Sequence, residues 1–202
     1  MDIIDTYKTI TKPAEGEIYK EKNSKFIGFT FPVKNEEETK VYLNEIKKTH
    51  YAARHWCYAY QIGKEDLYYR VNDDGEPNNS AGMPIFGQIQ SFNLTNILII
   101  VVRYYGGVKL GVGGLINAYR TAAQLALEAS DIIEKTIDKT YQLHFEYKNM
   151  SKVMRILKEH NIDIIDQKLE LKCSLDISVR KSNSLKTFKL FDDFFGVEIN
   201  EL

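Results

Sequence analysis

Cysteine is scarce in this chain of 202 residues: Cys57 and Cys173 are its only two. They are too few for a disulfide framework and too isolated for a CxxC metal site, so free thiols in a reducing cytoplasm are expected. An excess of charge is missing as well. Lys and Arg number 27 against 28 Asp and Glu, a net charge of −1, which excludes a generally basic nucleic-acid coat protein. Any phosphate contact has to come from a local patch. Long apolar runs are absent. The longest, Ile97–Val102, falls far short of the roughly 20 residues that span a bilayer, so no membrane partner is expected. The first ten residues, MDIIDTYKTI, are acidic and lack the apolar core of a signal peptide. No short-period repeat or low-complexity segment occurs.

Two further absences are local. After Thr136 glycine disappears except for Gly196, and between Glu76 and Glu128 there is no acidic residue, although Arg103, Lys109 and Arg120 lie in that window. The same window holds the most informative stretch, NILIIVVRYYGGVKLGVGGLINAYR over 96–120. Its β-branched and aliphatic run reads as a strand buried on both faces. Five glycines follow within nine residues, Gly106, Gly107, Gly111, Gly113 and Gly114, and a helical pattern runs from Leu115 to Ala129. The unit is strand, glycine loop, helix. A helix opening from such a loop leaves backbone N–H groups free and favours an anion. Alternatively, the glycines only let the helix pack close on the strand, since neither GxGxxG nor GxxxxGK[ST] is met.

Around this unit, residues 16–33 alternate as a strand, and Asn35 with Glu38 resembles a capping box for a helix whose buried face is Val41, Tyr42, Leu43 and Ile46. Strands are predicted over 56–62 and 67–71, a turn over 72–75, and a helix over 80–92 with Ser80 as its cap. A polar link near 131–140 separates domains at 1–134 and 137–202. Beyond it, strands at 141–147, 162–169, 171–179 and 197–199 alternate with helices at 151–160 and 185–195. The second helix has Leu185, Phe188, Phe191 and Phe195 on one face and Gly196 as its stop. The order βαββαβ is ferredoxin-like, and the whole is α+β.

Asp73, Asp74 and Glu76 could hold a hard cation, but they also read as an ordinary acidic turn, and no metal is assigned. His55 and Cys57 fall on one strand face with Trp56 opposite. A Cys–His pair can make a nucleophile, yet neighbours two apart on a strand seldom reach one another, and a buried Cys with a satisfied His is the commoner outcome. With Asp73, Asp74, Glu76 and Ser80 they form a secondary candidate cleft. Tyr104 and Tyr105 should point to opposite faces, and an outward tyrosine beside Arg103 and Lys109 suits single-stranded RNA or a protein partner.

Three motifs in order, AARHWCYAYQIG, DDGEP…SAGMPIFG and RYYGGVKLGVGGLINAY, resemble those of the YigZ/IMPACT family over residues 16–130. One departure is Asn78-Asn79-Ser80 where the family has SGT; Tyr105 for Phe is mild. The resemblance implies an N-terminal domain with the fold of a ribosomal small-subunit protein's second domain, shared with elongation factor G domain IV and the GHMP kinases and containing a left-handed βαβ crossover. It implies a ferredoxin-like tail similar to elongation factor G domain V. Eukaryotic relatives regulate translation through the general-control pathway; for bacterial members it implies a nucleic-acid or ribosome connection.

The expectation is therefore a cytoplasmic binding factor for RNA or the ribosome, with no cofactor and no catalytic residue assigned. Its face would be Arg103, Tyr105, Gly106, Gly107, Lys109, Gly111, Gly113, Gly114 and Arg120. The alternatives are an enzyme for a small phosphorylated ligand held over Gly111–Gly114, with Mg²⁺ on Asp73, Asp74 or Glu76, and a protein–protein module.

Overall fold

A computed structural model describes residues 4–202 and divides them into two units, residues 7–135 and residues 136–202 together with 4–6. In chain order the first unit comprises β1 (Thr6–Ile10), β2 (Ala14–Glu15), β3 (Tyr19–Glu21), β4 (Ser24–Pro32), α1 (Glu36–Thr49), β5 (His55–Ile62), β6 (Tyr68–Asn72), α2 (Gly82–Ser91), β7 (Ile97–Tyr104), α3 (Gly111–Glu128) and β8 (Ile132–Thr136).

Ile97–Val102 is buried throughout because β7 is the centre of a sheet ordered β2-β4-β7-β5-β6, with β3 also on β4. Both neighbours run antiparallel to β7, so β4 and β5 are parallel to one another, α1 connects them, and β7 lies between. Alternation then sorts β7. Ile97, Ile99 and Val101 join the core with Ile85 and Ile89 of α2 and Ala118 and Ala122 of α3. Leu98, Ile100 and Val102 join Phe29, Phe31 and Ile46 on the α1 side. A sheet covered on both faces needs a central strand with no polar alternation.

Close packing of α3 on the sheet is secured by glycines outside the glycine loop. A Cβ on Gly28 would sit 2.3 Å from the Ala122 carbonyl oxygen, and one on Gly16 2.5 Å from the Ala126 nitrogen. Alanines on the facing side of α3 complete that contact.

The second unit holds β9 (Asp138–Glu146), α4 (Met150–Glu159), β10 (Asp163–Lys168), β11 (Lys172–Arg180), α5 (Lys181–Asp192) and β12 (Val197–Glu201). Its antiparallel sheet runs β10-β11-β9-β12, the ferredoxin-like order. Leu143, Leu175 and Ile177 face Val153, Leu157 and Phe191 of the helices. Residues 4–6 belong here: Asp5 receives two guanidinium bonds from Arg180, at 2.6 and 2.9 Å, and its carbonyl accepts from the Ile137 nitrogen.

Several sequence expectations shift. Residues 132–136 form β8, paired with β1, rather than a link. Val41 is 54 % exposed and Thr39 is buried in its stead, while Ile46 is buried and Tyr42 and Leu43 partly buried, as expected. The Asn35 cap holds, its Oδ1 accepting from the Glu38 nitrogen, while the Glu38 carboxylate accepts from Lys34 one residue further back. α5 ends at Asp192, which leaves Phe195 off the helix and exposed; Leu185 is exposed too.

Candidate functional site

β7 delivers Arg103 to the face shared with α3, in register with Phe26 of β4 and His55 of β5. The residue is buried, and its Nη1 donates to Glu76 Oε1 at 2.5 Å. Tyr119 of α3 donates its hydroxyl to the same oxygen at 2.8 Å. His55 Nε2 stands 3.9 Å from it. The His55 Nδ1 is 2.8 Å from the Asp74 carbonyl, which only accepts, so Nδ1 carries the proton. Burial pushes the Tyr119 hydroxyl well above its usual range, so it stays a donor.

The acidic turn is pulled three ways. Asp73 accepts from the nitrogens of Asn79, Ala81 and Gly82 at 2.8–3.0 Å, and so caps the start of α2 from nine residues upstream. Ser80, expected as that cap, instead donates to the Pro77 carbonyl at 2.6 Å. Asp74 accepts from the Trp56 nitrogen at 2.7 Å, and Glu76 turns inward to Arg103. With its carboxylates dispersed, the turn offers no metal cage, and among the described residues no cluster of three such ligands occurs. Asn79 has φ +60, and asparagine is among the non-glycine side chains that best tolerate the left-handed region.

Cys57 is fully buried, and its thiol donates to the Asp73 carbonyl at 3.0 Å. Burial pushes the thiol up, which keeps it protonated and works against a Cys57–His55 nucleophile. Trp56 faces the other side with the α1 core, as the alternation required. Tyr104 also lies there and bonds His50, whereas Tyr105 emerges. Tyr105 sits between two guanidinium groups, with Arg54 Cζ 5.3 Å and Arg103 Cζ 5.4 Å from its ring centre.

The glycine loop splits by role. Gly106 is structural, because a Cβ there would meet the Asn23 carbonyl carbon at 2.1 Å, and its nitrogen donates to Ser24 Oγ. A Cβ on Gly107, Gly111 or Gly113 would meet nothing within 4 Å. Gly111 has φ +75 and opens α3 four residues earlier than the apolar spacing predicts; no side chain caps this end and no acid lies in its first turn.

These pieces converge on one cleft of about 320 Å³, lined by Glu76, Pro77, Arg103, Tyr105, Lys109, Leu110, Gly111, Val112 and Leu115. It unites Glu76, expected in the secondary cleft, with the glycine-loop face. Arg103 serves inside it as the partner of a buried carboxylate, and Lys109 is its exposed cation. Arg120 is exposed farther along α3 and does not line it. Sequence reasoning missed Arg54 at Tyr105, Tyr119 on Glu76 and the apolar wall of Leu110, Val112 and Leu115. Glu76 was flagged with the acidic turn, but its pairing with Arg103 was not. A larger opening of about 520 Å³ lies on the second unit, between His144, Glu146, Lys172 and Glu198, where no sequence motif falls.

Comparison with known proteins agrees with the motifs. Residues 22–127 match the Impact N-terminal domain. The IMPACT family member YvyE of Bacillus subtilis is 35% identical over 157 residues, covering 78% of this chain and 72% of its own. An IMPACT family member from Haemophilus influenzae is 31% identical over 183 residues, covering 89% and 87%. YigZ of Escherichia coli is 33% identical over 147 residues, covering 72% of each. A crystal structure described only as that of a hypothetical protein superposes with a TM-score of 0.72 at 26% identity, over 99% of this chain and 98% of that one. With its motifs, α+β architecture and relatives in agreement, the chain belongs to the IMPACT family.

Proposed function

We propose that this protein is a translation-related factor that binds RNA or the ribosome through the cleft at the start of α3. One observation carries the reading. The carboxylate that lines the cleft is already neutralised by Arg103 at 2.5 Å, so the uncapped helix end and Lys109 face an anion unopposed. Arg54, set on Tyr105, adds a second exposed cation beside it. Membership of the IMPACT family, which the sequence resemblance associates with translation, supports the translational setting.

The test is co-sedimentation with ribosomes and with total RNA at low and moderate salt, using Arg54→Glu with Lys109→Glu. Reversing Arg103 would be uninformative, because it would bury a second carboxylate against Glu76. Binding that weakens with salt and falls at least tenfold in the double variant is expected. Unchanged affinity and salt dependence would overturn the reading; binding that survives nuclease and high salt would point to a protein partner. A second reading is a small phosphorylated ligand, since 320 Å³ is at the lower end of ligand-pocket volumes.

A further inference from the structure

Glu76 is a buried carboxylate with one oxygen left over. Oε1 takes the bonds from Arg103 and Tyr119 and is also the oxygen nearest His55. Among the described residues no group donates to Oε2, and it is not among the enclosed polar atoms without partners; it is the accessible oxygen, on a side chain 5% exposed that lines the cleft. Arg103 Nε, by contrast, is enclosed and has no partner among the described residues, which puts it out of a ligand's reach. An accessible carboxylate oxygen can exchange its water for a ligand donor, and a ligand that covers it without donating leaves it unpaired. The cleft therefore presents an acceptor at Oε2, donors and positive charge at the start of α3 and Lys109, and an apolar wall between.

Resting on the proposed function for this same cleft, we infer that its ligand is a single ribonucleotide 5′-phosphate unit, with a sugar hydroxyl donating to Glu76 Oε2. The phosphate would lie at the α3 amides near Lys109, and the base against the wall of Pro77, Leu110 and Val112. The cleft is lined by one exposed cation, Lys109, with Arg54 beside it on Tyr105, and its volume holds about one nucleotide of a strand. A deoxy analogue would leave the carboxylate oxygen desolvated and unpaired, which is how a site built to hold a hydroxyl rejects ligands lacking it. Glu76 is thus the residue that tells ribose from deoxyribose.

Calorimetric titration of the full chain with AMP, 2′-deoxy-AMP, 3′-deoxy-AMP and inorganic phosphate tests this. AMP should bind about tenfold or more tightly than the deoxy form that lacks the recognised hydroxyl, the worth of one bond to a charged group. Glu76→Gln should erase that preference; the wild-type ligand series decides the matter alone should the variant fail to fold. Equal binding of all three nucleotides, or none at millimolar concentration, would overturn the inference. A hexaribonucleotide ending in free 2′ and 3′ hydroxyls that binds where its 3′-phosphorylated form does not would make the source a strand end. Binding of AMP without either oligonucleotide would make it a free nucleotide. Ribosome co-sedimentation without AMP binding would leave the RNA reading standing and remove this one, and AMP binding without co-sedimentation would do the reverse.

Discussion

The two units handle charge differently. In the second, Lys139–Glu201, Lys148–Glu146 and Arg155–Glu159 are rim pairs whose side chains are 35–72% exposed, and the core beneath them is apolar. In the first, Arg103 and Glu76 are each 5% exposed and in contact. Exposed pairs contribute about 0–1 kcal/mol, whereas a buried pair is expensive to form and more expensive to halve. A fold with an ample apolar core has no structural need for such a pair. The pair lies in the lining of the cleft, between an open glycine loop and a helix start, at the surface proposed above for binding.

The largest expected effect breaks that contrast directly. Arg103→Met should destabilise the first unit by about 3–5 kcal/mol in urea unfolding, because it strands a buried carboxylate; adding Glu76→Gln should restore part of the loss. If Arg103→Met alone costs less than about 1 kcal/mol, the pair is not the buried element described.

A smaller effect separates the packing glycines from the open ones. Gly28→Ala forces a methyl group into the Ala122 carbonyl and should cost about 1–3 kcal/mol. Gly113→Ala meets open space inside a helix and should be neutral or stabilising by up to about 1 kcal/mol, while weakening anion binding. Thermal melts with and without RNA distinguish the two; equal losses would erase the division of roles.

The smallest effect sharpens the second unit. Hydrogen bonding to Arg180, then to Ser182, holds the Asp5 carboxyl at about 2, below its ordinary 3.8. A lowered folded-state value means that this contribution is fully present above pH 3.8 and is lost as pH falls through about 2. Asp5→Asn should flatten the unfolding-versus-pH curve of the second unit in that window; an unaltered curve would show that the pair contributes nothing.

Much of this was legible in the sequence, and what was not has a common cause. β7, α3 and the βαββαβ order declare themselves through local periodicity, and Cys57 with Trp56 through simple alternation. The burial of Arg103 was not legible, since nothing within a strand's length says that its partner is Glu76, 27 residues upstream. β1 and β8 were hidden for the same reason: TYKTI and IIEKT carry too little alternation, and each is a strand only because the other pairs with it. Phe195 misled because the helical period fits it, although the backbone leaves the helix at Asp192. Ser80 misled because a cap contributed from Asp73 has no signature in the adjacent sequence.

The pairing of β1 with β8 has one more consequence. Thr11 bonds Asp131 through both its nitrogen and its hydroxyl, so the chain enters and leaves the first unit at neighbouring points of one ladder. Residues 4–6, meanwhile, fasten to Ile137 and Arg180 of the second unit. In gene architecture the first unit is thus an insert within its companion. A module with adjacent ends can be excised, permuted or transplanted into another host loop without stretching the host, and evolution can move it by the same route.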